Sequence, residues 1–371
     1  MRCVLKLLIF FILDICNIVA QIKDVEEKFN LPTILNESSG AIFFNNKLIS
    51  HNDSGNQNAL YELDTISGLI TRTITINNAT NIDWEDITQD NTSIYIGDIG
   101  NNNGNRTDLK IYKINKNDYL TSTNVTSEII SFSYSDQTNF TSNPNNTEWD
   151  SEAIISFNEN LILFTKNWLT GITKAYSIPK NSGIYTVSPL TTSLTSGGLI
   201  TGATYNEFTG KVYSIGYNSS LEPFIWISEN FTNNDIFSGT NTKIPLTSLA
   251  HEQAEAITYI NPNRYFITSE SFNISGISDY AKLVTFSTND ESLSINKQNI
   301  NYITLHPNPV KDVLTIKGGE FVSLEIYDIN SRLLQEYTSR EINISKLKSG
   351  IYLAKINLTN NSYLIKKLIK R

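Results

Sequence analysis

Between residues 21 and 300 the chain alternates short apolar runs with clusters of Asn, Asp, Gly and Ser. Runs such as Leu48-Ile49-Ser50, Ile94-Tyr95-Ile96, Leu161-Ile162-Leu163-Phe164 and Tyr265-Phe266-Ile267 are rich in β-branched and aromatic residues. No stretch sustains a 3.6-residue period. Such runs, bounded by turn formers, predict strands, and the chain is expected to be all-β.

The runs recur. Five short acidic or glycine openings each start a strand: Gly40-Ala41-Ile42, Glu85-Asp86-Ile87, Glu152-Ala153-Ile154, Gly202-Ala203-Thr204 and Glu255-Ala256-Ile257, with starts 45, 67, 50 and 53 residues apart. A second strand follows each and ends on a polar group: His51-Asn52-Asp53, Gly97-Asp98, Thr165-Lys166, Gly216-Tyr217 and Ser269-Glu270. Third strands contain Tyr61, Tyr112, Tyr176, Trp226 and Leu283, and fourth strands are expected near 70–78, 127–135, 187–194, 242–249 and 293–300. Four strands per unit of roughly fifty residues is the arithmetic of a propeller blade. The expected fold is therefore a β-propeller over residues 21–300. Five blades are favoured, and six follow if the longest gap or segment 21–36 hides another. Regularly spaced short strands also suit a sandwich, which is the alternative.

The two ends break this pattern. Arg2 and Lys6 flank an apolar run, Leu7 to Leu13 and Ile15 to Val19, that stops at the small residue Ala20. This predicts a signal peptide over 1–20, too short and too interrupted (Asp14) for a membrane span. Ile15 before Cys16 is not the small residue a lipidation signal carries. Residues 301–371 show alternating strands and polar turns that predict a small β-sandwich.

Composition narrows the chemistry. Cys3 and Cys16 are the only cysteines, so a mature chain without the leader has neither disulfide nor thiolate metal site. Residues 21–300 hold 16 basic against 30 acidic residues, while residues 301–371 hold 11 against 6. An acidic domain without a basic stripe argues against nucleic-acid binding, which draws on phosphate neutralisation. No later stretch is apolar enough for a membrane helix.

In a propeller the first strands line a shared channel, so Glu85, Glu152 and Glu255 would converge on one mouth, with Glu37 three residues before the corresponding place in the first unit. Crowded carboxylates repel unless they bind a cation or protons, and calcium, with its oxygen ligands, is the natural occupant. The alternative is that each glutamate bonds backbone amides of its neighbour. Polar strand ends His51, Asp53, Asp98 and Glu270, with Arg106 beyond Asp98, are candidate ligand contacts. His51 and His251 would approach each other if the fifth unit closes on the first, as an acid–base pair or as structural residues. The segment 98–106 is rich in oxygen donors, but lacks the bidentate acid of an EF-hand loop and reads as a turn. His251-Glu252-Gln253-Ala254-Glu255 lacks the second histidine of a zinc-protease helix, and no nucleophile elbow or phosphate loop is present.

Residues 31–115 carry a resemblance. Leu35-Asn-Glu-Ser-Ser-Gly40, His51-Asn-Asp-Ser-Gly55, Leu60-Tyr-Glu-Leu-Asp64, Asp83-Trp-Glu-Asp-Ile87 and Tyr95-Ile-Gly-Asp-Ile-Gly100, followed by Asn101 to Asn103 and Arg106, look like secreted bacterial propellers related to the SdiA-regulated family. More distantly, Glu37 before a small-residue strand start is similar to the calcium-ligating glutamate of gluconolactonase-type propellers.

The tail resembles the type A sorting domain of the Bacteroidetes type IX secretion system. The resemblance rests on Leu305-His-Pro-Asn-Pro309, Ser323-Leu-Glu-Ile-Tyr-Asp328, Leu347-Lys-Ser-Gly-Ile-Tyr-Leu353 and the basic end Lys366, Lys367, Lys370 and Arg371. Pro307, Asn308, Pro309, Gly350, Tyr352, Lys366 and Lys367 then carry the sorting signal. The resemblance implies recognition by the outer-membrane machinery, removal of the tail, and release or attachment to the outer surface of the outer membrane. The expected function is a secreted ligand-binding propeller with a calcium site at its channel mouth. The alternative is a calcium-dependent hydrolase of lactonase or phosphoesterase type, since a metal that polarises an ester needs no nucleophile motif.

Overall fold

A computed structural model describes residues 22–249, 251–274, 276–290, 303–318, 321–329, 332–357 and 363–371. The expected leader, 1–20, and the expected strand at 293–300 lie outside them. The chain divides into two compact units, residues 1–291 and 292–371.

In the first unit β1 (Lys23–Asn30) is followed by a meander of β2 (Ser38–Phe44), β3 (Lys47–Asn52), β4 (Ala59–Leu63) and β5 (Ile70–Ile76). Next come β6 (Trp84–Gln89), β7 (Ser93–Asp98) and β8 (Lys110–Asn115), the short helix α1 (Lys116–Thr121), β9 (Asn124–Val125) and β10 (Glu128–Tyr134). β9 returns to extend the first sheet beside β5, while β10 completes the second. The third sheet holds β11 (Ser151–Phe157), β12 (Asn160–Thr165) and β13 (Ile172–Pro179); β14 (Gly183–Val187) crosses back to β10, and β15 (Pro189–Thr195) closes the third. The fourth is β16 (Leu199–Asn206), β17 (Lys211–Tyr217), β18 (Pro223–Glu229) and β19 (Thr240–Pro245). The fifth begins with β20 (Ala254–Asn261) and β21 (Arg264–Ser269), passes the small hairpin β22 (Phe272–Ile274) and β23 (Ile277–Asp279), and continues with β24 (Lys282–Ser287).

The fourth place in the fifth sheet is taken by β1, antiparallel to β24. β1, from the segment where a sixth unit is the alternative, thus completes the fifth. The long gap after Glu85 holds α1, β9, β10 and the loop 135–150. No sixth large sheet occurs among the described residues of this unit.

Burial explains the strand patterns. Second strands such as β12 and β7 are buried almost throughout, because a neighbouring sheet covers each face, and so they read as continuous apolar runs. The outer strand β15 alternates exposed and part-buried positions. Asn45 and Asn46 both take positive φ, 51° and 60°, in the two-residue connection between β2 and β3, a conformation asparagine tolerates well.

Five apolar layers separate the sheets. Ile42 and Ile49 pack on Trp84 and Ile96, Tyr95 and Ile111 on Ile154 and Leu163, and Ile155 and Phe164 on Val212 and Phe224. Tyr213 and Ile225 pack on Tyr265 and Phe286, and Ala256 and Leu283 of the fifth sheet on Leu48 and Tyr61 of the first. The first strands touch in the same order, β2 on β6, β6 on β11, β11 on β16 and β16 on β20, with β20 also on β2.

The second unit contains a three-stranded sheet of β25 (Thr304–His306), β26 (Val313–Lys317) and β29 (Glu341–Asn343). Its other sheet runs β28 (Leu333–Tyr337), β27 (Ser323–Tyr327), β30 (Gly350–Asn357) and β31 (Tyr363–Lys370). Leu305, Leu314 and Ile342 of one face Leu324, Ile356 and Leu368 of the other, as in a sandwich. No helix among the described residues is long and apolar enough to cross a membrane.

Candidate functional site

Each first strand opens with a break in register against its second strand. The shifts fall between Ser38 and Gly40, Trp84 and Ile87, Ser151 and Ala153, Ile200 and Gly202, and Ala254 and Ala256. A bulge removes a residue from the ladder and re-aims its side chain. The residues so released are Ser39, Glu85, Glu152, Thr201 and Glu255. Ser39 and Thr201 turn to neighbouring backbone, accepted by the carbonyls of Glu85 and Ala254. Three glutamates remain, all at one end of the first strands.

The next residue in each strand is small except in one case. Gly40, Ala153, Gly202 and Ala256 leave no room; a Cβ on Gly202 would lie 2.3 Å from the Glu255 carbonyl oxygen. The exception is Asp86. Its fully buried carboxylate accepts from its own neighbour Ile87 (2.8 Å), from Ile154 of the third sheet (3.0 Å) and from Ala203 of the fourth (3.2 Å). One side chain thus ties three first strands together. Burial pushes its pKa up, against the pull of the three N–H donors.

Around the bulges, acids gather. One oxygen each of Asp53, Asp83 and Glu85 lie within 4.8 Å of one another, as do oxygens of Glu85, Asp150 and Glu152. Glu85 belongs to both groups. Gly100 presses on this pair: a Cβ there would stand 2.1 Å from Glu85 Oε1 and 2.4 Å from Asp83 Oδ2. Asp150 is anchored by the Asn101 amide at 2.5 Å and the Trp168 indole at 2.6 Å. Lys166, at the end of β12, supplies the central cation, with Nζ 3.0 Å from Glu152 Oε2.

Electrostatics follow from this crowding. Burial, then repulsion from Glu152, Asp53, Asp83 and Asp150, drives Glu85 well above the carboxylate range. Burial and then Asp53 and Asp150 lift Asp83 to about 7. Burial also lifts Glu255 to about 7 although Lys166 opposes it. Glu270 is raised by burial and by Glu255 and Asp53. Burial alone would lower Lys166, but Glu152, Glu255 and Asp150 outweigh it and hold the ammonium charged. One lysine among so many carboxylates leaves a region that must take up protons or a further cation.

The expected residues divide. Glu85 and Glu152 share a carboxylate group, and Glu255 lies near Glu152 and Lys166 in the electrostatic set. Glu37 does not occupy the equivalent place, which belongs to Ser39; it is exposed, bonded to Asn56, and outside both close groups. Asp53 joins the first group, and Glu270 senses the same charges. His51 is fully buried, edge-on to Trp84 at 5.5 Å, with Nδ1 3.0 Å from the Asn52 carbonyl and its pKa pushed down by burial to about 4. His251 is exposed and bonds the Ser220 carbonyl instead. Asp98 is fully buried and pairs with Arg106 at 2.9 Å, while Arg106 also donates to the Gly100 carbonyl, so this pair ties down the 98–106 turn. Asp83, Asp150 and Lys166 join these residues although the repeat pattern does not single them out as site residues. The repeated Asp-X-Glu spacing of Asp83-Trp84-Glu85 and Asp150-Ser151-Glu152 is the signal that finds the two acids.

In the second unit Asn308 donates to the Lys367 carbonyl (2.7 Å) and accepts from the Ile369 amide (2.9 Å), fastening the Pro307-Asn308-Pro309 turn to β31. Gly350 opens β30, and Tyr352 bonds the Lys348 carbonyl at 2.7 Å. Lys366 and Lys367 lie on β31.

Residues 304–371 match the family of secretion system C-terminal sorting domains. No curated protein matches the sequence. Among solved structures, the chain is similar to the major Malassezia sympodialis allergen Mala s 1, at 9% identity and a TM-score of 0.43, over 75% of this chain and 99% of that one. It is also similar to a DUF4623 family protein from Bacteroides eggerthii, at 12% identity and a TM-score of 0.40, over 90% of this chain and 71% of that one. Neither likeness is strong enough to assign a function. The tail match supports export of the chain as a type IX secretion substrate, to the medium or the cell surface, and implies contact with that machinery.

Proposed function

We propose that residues 22–290 form a five-bladed β-propeller carried out of the cell by its sorting domain, and that its acid-rich end binds calcium and offers it to an extracellular ligand. Five sheets, five intervening apolar layers and the packing of β20 on β2 support the propeller reading. β1 completing the last sheet supports it further, since one sheet built from both ends of the domain opposes opening. The observation that carries the cation reading is the pair of carboxylate groups sharing Glu85. All their donors are oxygens, as calcium prefers, and Gly100 leaves them the space a side chain would fill.

Thermal unfolding of the full chain with calcium and with chelator tests the proposal. A free calcium concentration one hundred times its dissociation constant is expected to add about 2.7 kcal/mol. Glu85→Gln, which removes the charge common to both groups, is expected to lose most of that gain. An unfolding temperature indifferent to calcium in the parent protein overturns the cation reading.

A further inference from the structure

A cavity of about 720 Å³ lies at the opposite ends of the same first strands, in the size range of small-molecule sites. Aromatic faces line one side: Phe44 at the end of β2, Tyr205 on β16, Phe208 just beyond it and Tyr259 on β20. All four are only half-buried. Tyr205 is held edge-on by Phe157 at 4.9 Å, and Phe208 by Tyr259 at 6.0 Å. The other side carries the amides of Gln89, Asn91 and Asn158.

Cross-strand bonds keep the floor rigid. Thr88 accepts the Ser156 amide at 3.0 Å, and Thr258 accepts the Phe43 amide at 3.2 Å. Charge in the wall nearly balances. Lys180 pairs with Asp90 at 3.2 Å, the Lys116 ammonium sits 4.2 Å over the Phe44 ring, and the exposed Glu159 and Glu207 line the cavity, Glu207 accepting from the Tyr259 hydroxyl at 3.5 Å. An anionic ligand meets these acids; Gln89 Nε2 already donates to the Phe43 carbonyl at 2.9 Å, and an alkyl chain leaves Gln89 Oε1 and the amides of Asn91 and Asn158 unanswered. Flat C–H faces flanked by hydroxyls satisfy both walls, stacking on the rings and bonding the amides.

We propose that this cavity is a binding site for a neutral oligosaccharide, separate from the acid-rich end. It does not depend on the cation reading, and chelator keeps the two apart in the test. Calorimetric titration of the full chain in chelator uses cellotetraose, maltotetraose and mannotetraose, with tetragalacturonate as the anionic control. At least one neutral tetrasaccharide is expected to bind. Phe208→Ala and Tyr259→Ala should each weaken it about tenfold, as expected for losing one large apolar face. Tyr259→Phe keeps the ring and should retain most of the affinity, even if an alanine variant fails to fold. Absence of binding by all three neutral sugars at millimolar concentration overturns the proposal. So does affinity untouched by the ring deletions, or binding of tetragalacturonate alone.

Discussion

The two ends of the five first strands share one backbone scaffold but differ in how they treat polarity. At the starting ends, bulges pull Glu85, Glu152 and Glu255 out of the ladder and bury their carboxyl groups together. At the finishing ends the ladder runs on in four of the first strands and slips in β20 between Tyr259 and Asn261, the aromatic side chains are half-exposed, and Lys180 finds Asp90 as its partner. The first end crowds carboxyl groups that must hold protons or a cation, as the proposed calcium site requires; the second offers flat apolar faces and amides, as the proposed neutral ligand requires. Asp86 stands between, and its bonds to two neighbouring sheets hold both ends in shape.

The largest expected effect comes from removing that divider. Asp86→Ala leaves the amides of Ile154 and Ala203 buried without an acceptor, at a cost of about 3 kcal/mol or more. Denaturant unfolding measures the loss, and both sites are expected to weaken together. Asp86→Asn, which keeps an acceptor oxygen, should lose less. Equal and negligible losses in the two variants would show that the ends do not share this support.

A pH series separates the ends next. Asp83 and Glu255 have folded pKa values near 7, raised above their unfolded values, so the folded state binds more protons between about pH 4 and 7. Their contribution is full below the unfolded pKa and is lost as pH rises through the folded one. In chelator, stability should fall across that window by up to about 1.4 kcal/mol per pH unit for each group, and calcium should offset the fall. At the aromatic end the Asp90 carboxylate is held down to about 2, where its backbone, Tyr95 and Lys180 partners outweigh its burial, so Asp90 adds no slope of this sign in that window. Chelated protein whose unfolding free energy rises from pH 5 to 8 would contradict this assignment.

The smallest effect should come from Glu37. It is exposed and outside the close carboxylate groups, so Glu37→Gln is expected to change stability by less than about 0.5 kcal/mol and to leave the calcium response as it is. A calcium response lost in this variant would place Glu37 among the ligands and shift the site toward the rim.

Much of this architecture is written locally. Strands bounded by Asn and Gly, the five-fold recurrence and the separate character of the tail all depend on side-chain polarity and turn chemistry within a few residues, and so they are legible in the chain before it folds. It also marked Glu85, Glu152 and Glu255, because the repeat aligns them. The rest comes from packing. The bulge put Ser39 rather than Glu37 at the matching place in β2. Packing on Trp84 made His51 a core residue, and β1 rather than a later segment completed the fifth sheet. Asp150 and Lys166 joined the acids because distant segments meet at that end. Each depends on contacts between residues far apart in the chain, where one residue of register exchanges which side chain faces inward, and no local pattern encodes that choice.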